Sequence, residues 1–70
     1  MKIIREYRIK KHLTQGDLAE EMKVAKSTVA MWETGRRQPR LSKLRKLSVL
    51  LEVPVEKLIS SITEDDTKSG

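Results

Sequence analysis

Two clusters of side chains in this 70-residue chain have types and spacing suited to chemistry: Lys26, Ser27, Thr28 and Met31, then Arg36, Arg37 and Arg40 in the run GRRQPR. The first offers an ammonium donor, two hydroxyls that donate or accept, and one soft apolar tip; the second puts three guanidinium groups into five positions. Neither has the logic of a catalytic centre. The chain lacks Cys, so it has no thiolate nucleophile and no disulfide framework, and its single His is too few for a usual zinc site. Glu33 with His12 is the one conceivable acid–base pair, but the two fall on different elements, with no cofactor motif beside them. No catalytic residue, metal, cofactor or small-molecule ligand is therefore expected. What the two clusters can do is meet a polyanion, through phosphate oxygens and base edges.

Charge points the same way. The chain carries +5, but Glu64, Asp65 and Asp66 against Lys68 leave residues 64–70 at −2, so residues 1–63 carry +7. Basic surface charge also serves solubility, so this balance alone does not decide for a polyanion partner. Seventy residues make one small domain that buries about 60% of its unfolded surface, which leaves no room for a large cleft. The start, MKIIREYRIKK, is basic without an unbroken apolar segment, and about 18 consecutive apolar residues occur nowhere. A soluble cytoplasmic protein with no membrane contact is expected.

The elements that must position the clusters are two short helices joined by a tight turn, over Thr14 to Thr34. Leu18, Ala19 and Met22 give the first an apolar side, Val29 and Trp32 the second, and Val24 is the apolar residue in the turn. Thr14 and Asp17 form a capping signature that starts the first helix at Gln15. The second begins between Ala25 and Ser27 and ends near Thr34, where Gly35 suits a left-handed stop. Lys26, Ser27, Thr28 and Met31 then lie on its outward side. That layout is a helix-turn-helix.

Around it, the periodicity predicts a first helix over Lys2 to Lys11 with Ile4, Tyr7 and Ile9 inward. A fourth runs from Leu41 or Ser42 to Leu51, with Leu44, Leu47 and Leu51 inward and Lys43, Arg45 and Lys46 outward. Pro54 starts a short fifth helix over Val55 to Ser60, with Leu58 and Ile59 inward and Ile62 continuing that face. Residues 1–62 thus form one domain, and 63–70 a polar tail expected to be disordered. Arg8 sits among apolar positions, where an exposed charge over a buried stem is the common outcome. His12 closes the first helix at positive φ or serves as a pH-sensitive or phosphate-contacting group.

The run LTQGDLAEEMKVAKSTVAMWETGRRQPRLSKLRKLSVLLEVPVEKLI resembles the Cro/CI-type, or XRE-like, helix-turn-helix family of phage and bacterial regulators, from about Ile4 to Ile59. The similarity rests on LTQ at Leu13 to Gln15, on Leu18 with Ala19, on WE-x-G at Trp32 to Gly35, on Pro39 and on the closing V-P-V-E-K-L-I. It implies an all-α, compact five-helix, lambda-repressor-like DNA-binding domain. It also implies a largely buried ion pair between Arg8 and Glu33, base reading by Lys26, Ser27, Thr28 and Met31, and phosphate contacts from Thr14, Gln15, Thr34, Arg36, Arg37 and Arg40. The family's Gly in the turn between helices two and three is replaced by Lys23, so that turn either is strained or differs in backbone.

The partner implied is double-stranded DNA, read at a (pseudo)palindromic operator by a homodimer that forms in solution or only on DNA, with repression as the outcome. The dimer surface is not legible from Leu50, Val53, Val55, Leu58 or Ile62. The alternative is the same fold used as a protein-docking module, of the antitoxin or anti-repressor kind. A basic surface unbroken by acidic side chains separates the first from the second.

Overall fold

The computed structural model describes residues 1–62 in full. Its elements are α1 (Lys2–Lys10), α2 (Gln15–Met22), α3 (Lys26–Thr34), α4 (Leu41–Leu51) and α5 (Val55–Ser69), and no strand occurs among the described residues. The expectation of a disordered tail over 63–70 lies outside those residues. α5 runs past its expected end at Ser60 to take in Ser61 and Ile62. No helix among the described residues is long and apolar enough to cross a membrane.

The core is built from one stripe of each helix. Ile4, Leu18, Met22, Val29, Leu47, Leu51, Val53 and Leu58 are fully buried, and Met1, Ala19, Trp32 and Leu44 nearly so. Burying one such large aliphatic side chain contributes about 1.5–3 kcal/mol, and together these offset the chain entropy lost on ordering. α3 packs on both α1 and α2, while α4 packs on α1, α2 and α5. Ala19, 4% exposed, is the small residue that lets α2 and α3 approach.

Two inward assignments are corrected. Ile9 is 49% exposed and Ile59 is 45% exposed. At about 100° per residue, Ile9 lies some 140° around α1 from the buried Ile4, and Ile59 is one step off the buried Leu58. Lys43 is also not simply outward. Half-buried on α4, its Nζ donates at 3.2 Å to the Met22 carbonyl at the end of α2, where a cation also meets the negative end of the helix.

α1 to α4 all close in the same way. A residue in the left-handed region follows the helix, and the next N–H returns to a carbonyl five residues back: Leu13 to Arg8, Val24 to Ala19, Arg36 to Met31 and Val53 to Ser48, at 2.9–3.1 Å. The left-handed residues are His12 (φ 59°), Lys23 (φ 58°), Gly35 (φ 82°) and Glu52 (φ 53°). His12 therefore serves as a helix stop. Lys23 adopts the strained form of the turn, and Glu52 is a further strained stop that no local pattern marks. Glu52 also pairs its carboxylate with Lys11, tying the end of α4 to the end of α1.

Since a non-glycine left-handed residue costs about 1–2 kcal/mol, Lys23→Gly is expected to stabilise the domain by about 1 kcal/mol. For a domain this small that amounts to a rise of about 4–8 °C in melting temperature, which thermal denaturation followed by circular dichroism measures. A melting temperature equal to or below that of the parent would contradict the strain at this turn.

Candidate nucleic-acid interface

α2 begins with a complete capping box. Asp17 N–H donates to Thr14 Oγ1 at 3.0 Å, and Thr14 N–H donates to Asp17 Oδ2 at 2.9 Å. Hydrogen bonding to its carboxylate, from the Thr14 backbone N–H first and the Thr14 side chain second, holds Asp17 below its ordinary range. Thr14 itself is exposed.

At its other end α2 stops at Lys23, and the chain re-enters helix with Ala25 as the extended residue before α3 (φ −72°, ψ 150°). Ala25 has no side-chain acceptor, so the start of α3 is uncapped by side chains. Because Val29 (0% exposed) and Trp32 (4%) face the core, the opposite side of α3 is left outward. Lys26 and Ser27 are exposed there, and Thr28 and Met31 are half-buried on its flanks. Thr34 is exposed, but its hydroxyl donates back to the Ala30 carbonyl at 3.0 Å, occupying its proton within the helix.

The segment after α3 is anchored rather than loose. The N–H groups of Arg36 and Arg37 both donate to the Met31 carbonyl, at 2.9 and 3.3 Å, and Pro39 is buried. Between these anchors Arg36 and Arg37 are exposed, as is Arg40, the extended residue that precedes α4. From Lys23 to Lys46 the chain carries eight Lys or Arg and a single acid, Glu33.

That acid is withdrawn from the surface. Arg8 Nε donates to Glu33 Oε2 at 2.6 Å, and the two side chains are 11% and 4% exposed. Arg8 also donates through Nη1 to the Leu13 carbonyl at 2.7 Å, and Gln15 Nε2 donates to Glu33 Oε1 at 3.1 Å. One carboxylate therefore joins α1, the start of α2 and the last turn of α3. Gln15, expected to face a phosphate, has its amide turned toward Glu33, while its backbone N–H stays in the first turn of α2, the positive end of the helix. The amino group of Met1 completes this corner, donating to the Trp32 carbonyl at 2.6 Å near the negative end of α3.

The bonds from Gln15 and Met1 to α3 were not foreseen. They join residues 18 and 31 positions apart, and no local sequence pattern marks either.

A helix-turn-helix family model matches residues 4–58, from within α1 to the first turn of α5. The chain belongs to this family, in its XRE-like branch. Within the family it is similar to the HTH-type transcriptional activator BcrR of Enterococcus faecalis, 32% identical over 57 residues that cover 81% of this chain and 28% of that protein. It is also similar to the cryptic phage CTXphi transcriptional repressor RstR of Vibrio cholerae, 35% identical over 66 residues that cover 93% of this chain and 60% of that protein. The chain thus spans less than two thirds of the length of both relatives. No solved structure gives a significant match.

Removing the carboxylate at the centre of this corner should be severe. Glu33→Ala leaves the Arg8 guanidinium buried with the Leu13 carbonyl but no counter-charge, a change that typically costs about 3–5 kcal/mol. A domain of this size has only about 4–10 kcal/mol in total, so the melting temperature should fall sharply. An unchanged melting temperature would show that the pair does not support the fold.

The Asp17 carboxyl provides a pH-dependent test. Its folded pKa lies below the ordinary 3.8, so its contribution is complete above that value and is lost as pH falls through the lowered one. Asp17→Asn should therefore be less stable than the parent at neutral pH, and the two denaturation midpoints should converge only below about pH 3.8. A constant gap across the acid range would rule out the charged cap.

Proposed function

We propose that this protein is a sequence-specific, double-stranded DNA-binding transcriptional regulator, a repressor that occupies a (pseudo)palindromic operator as a homodimer in the cytoplasm. The supporting observation is the single acid of the Lys23–Lys46 stretch, held against Arg8 and Gln15, which leaves the outward side of α3 and the following segment with exposed cations and no exposed carboxylate. Acidic interruptions of that stretch would have favoured a docking module instead. An α-helix fits the major groove, where Lys26 reaches guanine O6 or N7, Ser27 and Thr28 donate or accept, and Met31 meets a thymine methyl.

Thr14, Gln15, Arg36, Arg37 and Arg40 hold the phosphates on either side and set register rather than sequence, and Thr34 joins them only by turning its hydroxyl away from the Ala30 carbonyl. Gln15 does so through its backbone N–H at the start of α2, its side chain being taken up by Glu33. One module has too few base contacts for a useful specificity ratio, which is the reason for two copies on half-sites about 34 Å apart.

Selection from a random duplex library tests this reading. An inverted repeat with half-sites about one turn apart, bound at least ~10³-fold more tightly than scrambled DNA, is expected. Enrichment of no sequence, with binding that vanishes as salt rises, would return the protein to nonspecific charge attraction. On the selected site, Arg37→Ala should weaken all sequences alike and reduce the slope of log affinity against log salt by about one. A changed base preference would move Arg37 from the phosphates to the bases.

A further inference from the structure

Three described residues other than glycine hold the left-handed conformation, and two of them have a local reason to do so. His12 is of a type enriched in that region, and Glu52 pairs its carboxylate with Lys11 across the ends of α4 and α1. Lys23 has neither reason, and at φ 58°, ψ 45° a glycine would close the turn without strain. Nor does the fold use its side chain. A cation here could cap the end of α2, but the Met22 carbonyl already accepts from Lys43 Nζ at 3.2 Å. Glu20 and Glu21 just before it form no ion pair with it, and the exposed Lys23 ammonium meets no acceptor among the described residues. Strain kept for a side chain that does nothing for the fold marks a position with another use.

We infer that Lys23 is a further phosphate contact, which binds the duplex backbone at the edge of the groove that α3 enters. Lys26, the first residue of α3, follows three positions later, and three residues of chain span at most about 11 Å. The major groove is about 12 Å wide, so a residue that close to a base-reading side chain is within a lysine's reach of one phosphate wall. The flexible four-carbon stem carries a point charge that needs no fixed geometry to meet a phosphate oxygen. A glycine at this place would close the turn and offer the duplex no charge. The turn therefore exchanges stability of the fold for affinity toward the duplex.

This rests on the duplex-binding reading proposed above, and the substitution that relieves the turn also tests it. On the selected operator, Lys23→Gly should bind about three- to tenfold more weakly at about 0.1 M salt, with the slope of log affinity against log salt reduced by about 0.9. Because glycine also loosens the backbone, Lys23→Asn is measured beside it. Asparagine tolerates the left-handed region but carries no charge, so it should show the same two changes. Lys23→Arg should keep both the affinity and the slope of the parent. Base preference should be the same for all four proteins, and melting curves establish that each is folded.

Equal affinity of Lys23→Gly, Lys23→Asn and the parent at every salt concentration would overturn the inference. So would a loss of affinity with an unchanged slope, which would make the backbone of the turn the cause rather than its charge. A Lys23→Arg protein as weak as Lys23→Gly would overturn it as well. The outcome is separable from the operator reading. If the parent selects no sequence, that reading falls, and the salt slopes of the same variants on a mixed-sequence duplex still decide whether Lys23 meets phosphates. An operator bound as expected, with slopes that do not differ, would remove only the Lys23 contact.

Discussion

The Glu33 carboxylate is the constraint on which the rest of the arrangement depends. It is 4% exposed, and a charge so placed is stable only if its lone pairs are met. Arg8 and Gln15 meet them, and in doing so they fix α1 and the start of α2 against the last turn of α3. Arg8 in turn spends a second donor on the Leu13 carbonyl, in the connection between α1 and α2. No buried side-chain polar atom among the described residues is left without a partner. An apolar trio of similar volume would hold the same helices together, but it would not set their register with directional bonds.

A second theme is the treatment of helix ends. Cationic groups are directed at the C-terminal carbonyls of two helices, Lys43 at α2 and the Met1 amine at α3, where they meet both an orphan acceptor and the negative end of the dipole. Strain is accepted at His12, Lys23 and Glu52 so that each helix can stop within one residue and the next can set off at once. Leu13, Val24 and Val53, which follow these stops, pack on or in the core. The sharp turns are thereby anchored on their inner side, which is what keeps residues with a disfavoured φ in place.

Much of this was legible in the sequence, for physical reasons that differ by element. The 3.6-residue spacing of Leu44, Leu47 and Leu51 identifies the inner face of α4, and Thr14 with Asp17 locates the start of α2 to the residue, because a capping box is a local interaction between residues three apart. Periodicity failed at Ile9 and Ile59, where an apolar residue beside the stripe cannot be told from one within it. The left-handed Glu52 and the bond from Lys43 to Met22 were hidden because they follow from how helices meet, not from their own sequence. At the interface, the residue types on the outward side of α3 were readable from spacing, whereas the turning of Gln15 toward Glu33 was not.

The Met31 carbonyl accepts from both Arg36 and Arg37, so the helix that would enter the groove and the arginines that would grip its walls belong to one hydrogen-bonded unit, closed off by the buried Pro39. Such a unit has little freedom to widen or narrow its grip. Where the groove of a given duplex does not fit, the accommodation falls to the nucleic acid, whose stiffness depends on which base steps lie between the gripped phosphates. Base pairs that no side chain touches would then count toward discrimination through the cost of reshaping them.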